Sequence, residues 1–363
     1  MKTFLVILFA ALMFGFLITI HEFGHYLFAR IFKVGIHEFS IGMGPKILSR
    51  RSKKTGILYS LRALPLGGYV SMVGEDEASD DENALSKKKA WQRLIIMAAG
   101  GLFNILVGIL LSAVFVFMTL GSLGSTQVAQ FEKDATSAYY LREGDIIKEV
   151  NGKKVGISSE LSFRLMWEVS DPRTVTVKDE NGESVTLENM ALIDLTVIRD
   201  GEKLTIRDVP FRMATEEGIG LGQQDFYVYR EAPTFGTVLR HIFCEVRSNA
   251  GQVWSTLGAL FTGRVNPTHL SGPVGITQQM TQAASVGIEY LIYFAALIAV
   301  NLGIVNLLPV PALDGGRILF LLVEVVRGKP MRPEVEARIN SIALMLLLGL
   351  SVFVLFKDIF NLF

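Results

Sequence analysis

An α-helical multi-span membrane protein, with four transmembrane helices and an inserted extracytoplasmic β-rich domain, is the fold class this sequence predicts. Two observations carry the prediction. Half of the 363 residues are hydrophobic and only 19% are charged, and no charged residue falls within 3–20, 94–131, 290–313 or 339–356. Each of these runs reaches the roughly 17–25 residues that an α-helix needs to cross a bilayer. The long segment 121–286, between the second and third expected helices, instead carries short β-branched segments separated by Asn-Gly and Asp-Gly turns. A chain dissolved wholly in water is excluded.

The 35 Lys and Arg residues balance 35 Asp and Glu residues, so the net charge is zero and no nucleic-acid partner is expected. The single cysteine, Cys244, excludes an intramolecular disulfide and a cysteine-based zinc cluster, and reads as a buried apolar residue.

Residues 3–32 are expected to form the first transmembrane helix. The run follows Met1-Lys2, as in a secretory signal peptide. It lacks a small-residue cleavage site, however, and continues directly into His21-Glu22-Phe23-Gly24-His25, so a retained helix fits better. The connection 33–90 is rich in Lys and Arg. Within it, Ile57–Leu64 and Pro65–Val70 read as two short strands around a Pro/Gly turn, a β-hairpin over 57–70 that is either membrane-associated or an ordinary surface feature. The second transmembrane helix covers 91–120.

Segment 127–211 is read as the β-rich domain. Gly144-Asp145 precedes an Asn151-Gly152 turn, and short strands follow at 175–177, 185–187 and 195–198, with turns at Asn181-Gly182 and Asp200-Gly201. This pattern resembles a PDZ domain, which implies binding of extended peptide ends along a sheet edge. A plain β-rich spacer or steric gate is the competing reading. In the juxtamembrane segment 212–286, Phe235, Val238, Leu239, Ile242, Phe243 and Val246 recur at helical spacing. They define an amphipathic helix that lies along the outer membrane surface or packs on the β domain.

The third transmembrane helix is placed at 287–318 and the fourth at 339–360. Basic residues crowd 33–90 and the link from Arg317 to Arg338. Lys and Arg bias short loops inward, so both connections are expected in the cytoplasm, with both chain ends and 121–286 outside.

The sequence His21-Glu22-Phe23-Gly24-His25 carries the chemistry. Residues four apart share a helix face, so both imidazoles can ligate one zinc ion. Glu22, one position on, can sit beside the open coordination site and take a proton from bound water. His37-Glu38 begins the same way, but Ile41 stands where a second histidine would be; His37 reads as surface or core. Ionisable groups inside a span cost several kcal/mol each, and three of them at the end of an uncharged helix need a partner.

A hydrolytic zinc site usually has three protein ligands. His241 and His269 lie in the external segment, on the wrong side. The first and third spans run parallel, and Asp314 ends the third uncharged run, at the same face as His21 and His25. It follows Pro309 and Pro311, which prevent a regular helix. Glu324 is the rival, ten residues further on and better suited to a polar loop. Asp314 is the expected third ligand.

These features together resemble the site-2 protease family of intramembrane zinc metalloproteases, in the branch of bacterial regulator-of-sigma-E proteases. The resemblance extends through Leu66-Gly67-Gly68-Tyr69-Val70, Gly100-Gly101-Leu102-Phe103-Asn104, Ser271-Gly272-Pro273-Val274-Gly275 and 306–316, nearly the whole chain. It implies that His21, His25 and Asp314 ligate Zn2+, that Glu22 is the catalytic base, and that Asn306, Pro309 and Pro311 help hold a substrate strand. It implies a bacterial plasma membrane location, in contact with the lipid bilayer. The implied substrates are single-span membrane proteins such as anti-sigma factors, already shortened by an upstream protease. Gly101 departs from the pattern, standing where proline is expected.

A non-enzymatic membrane scaffold that binds peptides through the PDZ-like domain is the alternative function. A zinc transporter is a third, and it would need carboxylates or histidines along several spans; the second span and the uncharged run 339–356 of the fourth have neither.

Overall fold

The computed structural model describes residues 2–75, 80–167, 172–178, 182–216, 219–263, 272–329 and 331–360. In chain order its elements are α1 (Lys2–Ile31), β1 (Ile36–Arg51), β2 (Leu58–Met72), α2 (Ala90–Met118), β3 (Gly124–Phe131), β4 (Ile146–Val150), β5 (Lys153–Lys154), α3 (Ser158–Trp167), β6 (Arg173–Lys178), β7 (Ser184–Arg199), β8 (Glu202–Glu216), β9 (Ile219–Gly222), β10 (Phe226–Arg230), α4 (Phe235–Phe261), α5 (Pro273–Val286), α6 (Ile288–Leu307), α7 (Asp314–Arg327) and α8 (Pro333–Phe360). They fall into two units, residues 1–111 with 266–363, and residues 112–265.

Among the described residues, 4 helices are long and apolar enough to cross a bilayer: Leu8–Ile31 of α1, all of α2 and α6, and Glu334–Asp358 of α8. With its separate β-sheet unit, the chain is a multi-span membrane protein with a β domain. In the first unit, Ala10, Met13 and Leu17 of α1 pack against Met280 of α5 and Leu291, Phe294, Ala295 and Ala299 of α6. Lipid tails are as apolar as these side chains, so association relies on close packing and small residues. Helices α2 and α6 meet in this way at Gly101 and Gly303. A Cβ on Gly101 would stand 2.8 Å from the Gly303 carbonyl oxygen, and one on Gly303 2.6 Å from that of Gly101. The glycine that departs from the expected proline is thus a point of close backbone approach in this crossing.

Segment 287–318, expected as one helix, is two. Helix α6 stops at Leu307 and α7 starts at Asp314. Pro309 and Pro311 lack the N–H groups a helix would use, and Ala312 takes a left-handed φ of 72°. Its backbone N–H donates to Oδ1 of Asn340 on α8 at 3.1 Å, so the break has its own hydrogen bond. Helix α8 begins at Pro333 rather than 339, with Glu334 and Glu336 in its first turn, where acidic groups complement the helix dipole.

The hairpin expected over 57–70 is also corrected. Residues 58–72 form the single strand β2, whose partner is β1. Each strand bends on itself. Ile36–Ile41 of β1 pairs with Gly68–Met72 on one side, while Glu38–Ile41 also faces Leu58–Leu61 on the other; Leu58–Arg62 in turn pairs with Lys46–Arg51. The result is a four-ply sheet made from two strands. The bends lie at Gly42 (φ 83°) and Gly67 (φ 86°), a conformation that residues with a Cβ rarely adopt. Glu38 joins the plies: it accepts hydrogen bonds from Ser60 Oγ (2.5 Å), Arg62 Nη2 (3.0 Å) and Lys46 Nζ (3.1 Å). Arg62 also donates to the Tyr69 hydroxyl at 2.5 Å.

In the second unit the sheet runs β10-β3-β4-β7-β8-β9, with β5 on β4 and β6 on β7. Its core is Val128, Ile147, Val150, Ile193, Leu195, Val197 and Phe211 with Leu161 and Leu165 of α3. The expected domain limits of 127–211 are too narrow. Strand β10, at Phe226–Arg230, closes the sheet against β3, which starts at Gly124. The segments at 185–187 and 195–198 belong to one strand, β7. Asn151-Gly152 and Asp200-Gly201 form turns with positive φ at both residues; Asn181 lies outside the described residues.

Helix α4 begins with a capping box from Thr234 and Thr237. It packs on α3 through Arg247, which donates to both Glu160 oxygens at 2.7 and 2.6 Å. Phe235, Leu239 and Phe243 stay exposed, on the side away from the buried His241, Cys244 and Ser248. The buried face includes Glu245, whose Oε1 accepts from Ser159 Oγ at 2.8 Å and whose Oε2 meets no donor among the described residues. Burial pushes the Glu245 carboxyl up to about 7, against the pull of the Ser159 hydrogen bond and with the nearby Glu160 charge adding to it.

An unfolded glutamate ionises near 4.5 and the folded Glu245 only near 7, so the native state binds the extra proton in between. Raising the pH across that window therefore destabilises the fold. Replacing Glu245 by Gln is expected to raise the thermal midpoint of the full-length protein at pH 8 and to change it little at pH 4. Calorimetry at the two values checks this, and an equal effect at both would contradict it.

Candidate active site

His21 and His25 sit one turn apart near the end of α1 and are 8% and 7% exposed. Asp314 opens α7, immediately after the proline-broken link, so the break delivers a carboxylate to the imidazole face of α1. Nε2 of His21 lies 3.1 Å from Asp314 Oδ2, Nε2 of His25 lies 3.2 Å from the same oxygen, and the two nitrogens are 3.3 Å apart. These atoms form the one group among the described residues whose spacing suits a shared metal ion. A tetrahedral zinc with bonds of about 2.0–2.1 Å has ligand–ligand edges of about 3.3 Å. Asp314 Oδ2 is buried and meets no donor at hydrogen-bonding geometry, although both rings point at it. The donor set and its spacing fit zinc.

The rings are oriented from behind. The Ile96 carbonyl lies 2.7 Å from Nδ1 of His25; a proton on Nδ1 leaves Nε2 free to ligate. Asn104 and Asn306 bring their side-chain amides to 3.5 and 3.4 Å from Nδ1 of His21. Turned so that Oδ1 faces the ring, either can accept its N–H. Helix α2 passes directly over both imidazoles at Gly100, where a Cβ would stand 2.4 Å from His25 Nε2 and 2.7 Å from His21 Cε1.

Glu22 points to the side, toward β2. Its Oε2 accepts the backbone N–H of Val70 at 3.0 Å. Together these groups line a cavity of ≈ 430 Å³, which Tyr69–Met72, Glu75, Leu313 and Arg317 complete.

This arrangement, two imidazoles and a carboxylate around one point with a second carboxylate beside it, stands in a chain whose sequence matches peptidase family M50 over residues 9–350. The chain belongs to peptidase family M50, the site-2 proteases. A zinc-metalloprotease relative in Clostridium perfringens is 32% identical over 359 residues, covering 97% of this chain and 98% of its own. A second, in Fusobacterium nucleatum, is 31% identical over 374 residues, 99% of each chain. The regulator of sigma-W protease RasP of Bacillus subtilis is 29% identical over 437 residues, 97% of each. As a site-2 protease the chain is an intramembrane zinc metalloprotease.

Within this site-2 protease, His21, Glu22, His25, Asn306 and Asp314 are drawn together. Asn306 stands behind a histidine rather than along the cavity wall. Pro309 is exposed, and Pro311 packs against Gly316, where a Cβ would stand 2.7 Å from the Pro311 Cα; neither lines the cavity. Glu324 is not a rival ligand: it accepts from Arg93 Nη1 at 2.8 and 3.0 Å and ties α7 to α2. His37 is exposed, His241 lies 3.3 Å from Glu231 in the second unit, and His269 lies outside the described residues. Sequence reasoning missed Asn104 as a partner of His21, and it missed Glu75 and Arg317. Asn104 was visible as the only amide in the uncharged part of the second span, 94–120.

Gly100→Ala is expected to displace both imidazoles and abolish stoichiometric zinc binding, while Gly121→Ala, with nothing within 4 Å of its Cβ, leaves it intact. Metal analysis of the purified variants measures this. Full zinc occupancy in Gly100→Ala would contradict the geometry.

Proposed function

We propose that His21, His25 and Asp314 hold the zinc ion, that Glu22 is the general base, and that the substrate is the transmembrane segment of a single-span membrane protein. The convergence of the two Nε2 atoms with Asp314 Oδ2, beside Glu22, carries this reading. Bound there, zinc supplies Lewis acidity toward a peptide carbonyl and lowers the pKa of water. Glu22 takes a proton from water at its free carboxylate oxygen and returns it to the departing amine nitrogen. Asn306 and Asn104 keep His21 oriented, and the 308–313 link sets the position of Asp314.

A helical peptide bond is enclosed by its own hydrogen-bond ladder, so the substrate must be extended where it is cut. In lipid its freed backbone groups need partners. Residues 68–72 of β2 pair on one side only, and their other side borders the cavity; addition of the substrate as a further strand supplies the partners. Ile47, Leu48, Met43 and Leu64 are exposed at the outer end of the sheet, which supports its contact with the lipid bilayer.

The name of the Bacillus relative, a regulator of sigma-W protease, supports an anti-sigma factor as the substrate, cut after an upstream protease has shortened it. The 35-to-35 charge balance leaves orientation to the loops: basic residues in 33–90 and 317–338 favour a cytoplasmic position for both, with 121–286 and the chain ends outside. The β unit, with its helix α3 and the Asn151-Gly152 turn, is then an extracytoplasmic PDZ-like domain that admits substrates by size.

The test is cleavage of a reconstituted single-span substrate, in trimmed and untrimmed forms. Glu22→Gln should lower the rate by on the order of 10²–10⁴ while zinc content is unchanged, and the wild type should cut the trimmed form faster. Undiminished cleavage by Glu22→Gln would sink the assignment of the base; equal rates on both forms would sink the size filter.

A further inference from the structure

The free edge of the sheet beside the cavity is already occupied. Along a strand, alternate residues turn their N–H and C=O groups to opposite sides. Val73 turns its N–H toward the partner strand side, donating to the Gly35 carbonyl at 2.8 Å. Val70 and Met72 therefore present their N–H groups on the open side. Both meet carboxylates. Val70 donates to Glu22 Oε2 at 3.0 Å, and Met72 donates to Glu75 Oε2 at 3.3 Å. The other oxygen of Glu75 pairs with Arg317 Nη1, on the helix that Asp314 opens.

Glu22 has a catalytic reason to be there. Glu75 has none in the reading above, yet it holds the second donor that an added strand would use. An open strand edge templates unwanted pairing, and an unmet N–H away from water is costly. A side-chain carboxylate is an acceptor that covers the donor and can leave without breaking the backbone. When it leaves, Arg317 still neutralises it, so displacement does not strand a buried charge.

We propose that Glu75 is a specificity-determining cap: it occupies the Met72 N–H on the substrate-binding edge, and a substrate strand must displace it to be cut. The proposal rests on strand addition along 68–72. Its consequence is selection against segments that stay helical. A helix spends its carbonyls internally and cannot compete with Glu75, whereas a segment already extended at the cut site offers a free carbonyl to Met72. Displacement of Glu22 from Val70 in the same event frees the base as the substrate seats, which couples recognition to chemistry.

The experiment uses the full-length chain with Glu22→Gln, which holds substrate uncut, together with Ser71→Cys and Cys244→Ser. A single-span substrate carrying one cysteine is scanned along its cut region, and disulfide cross-linking to residue 71 is titrated. Strand addition gives yields that alternate with a period of two along the substrate. Adding Glu75→Ala is expected to lower the substrate concentration for half-maximal cross-linking by roughly three- to tenfold, the worth of one hydrogen bond. Glu75→Gln, which keeps the side chain's shape, should shift it the same way by less. Loss of the alternation would overturn strand addition and the cap with it. Alternation with an unchanged or raised midpoint in Glu75→Ala would overturn the cap alone.

Discussion

Two imidazole nitrogens and a carboxylate oxygen brought within 3.1–3.3 Å of one another, next to helices that lipid surrounds, form an arrangement that a shared cation stabilises and that little else does. Ionisable groups at this depth cost several kcal/mol each unless paired. Much of the first unit can be understood as what holds those three atoms in register. Helix α1 supplies two of them from one face, the break between α6 and α7 supplies the third, and Gly100 clears the space in which they meet. The backbone carbonyl of Ile96 and the amides of Asn104 and Asn306 then settle which ring nitrogen faces the centre.

A second constraint comes from the backbone. A protease working on a membrane segment needs a place where extended chain is hydrogen-bonded rather than exposed to lipid. The four-ply sheet would provide one under the proposed mode of substrate addition, and Glu38 with Ser60, Lys46 and Arg62 ties its plies together. One edge of that sheet and Glu22, the proposed general base, share a hydrogen bond at Val70. On that proposal the catalytic group and the docking edge are parts of one construction, and a change at Glu22 or Val70 is felt by the other.

The amino-acid sequence exposed some of this and concealed the rest for physical reasons. The spacing of His21 and His25 speaks directly, because four residues is one helical turn. Asp314 could be placed by counting spans, since parallel helices bring equal depths together. The sheet could not be read in the same way. Its pairing joins Glu38 to partners 22 and 24 residues away, and local alternation in 57–70 looks like a hairpin because it contains a turn at Gly67. Glu38 follows His37 in a run that lacks the motif's second histidine; its function is structural and depends on Ser60 and Arg62. In the β unit, closure of β10 onto β3 is a long-range contact that no local pattern announces, so the domain seemed to end at 211. Prolines 309 and 311 signalled the helix break correctly in kind, yet their side chains serve the link and not the cavity.

X-ray absorption at the zinc edge of the purified protein tests the central claim most directly. The account predicts one zinc per chain with two imidazole ligands, light-atom distances of about 2.0–2.1 Å, and loss of one imidazole's scattering in His25→Ala. A zinc shell containing no imidazole, or one unaltered by His25→Ala and Asp314→Ala, would contradict it.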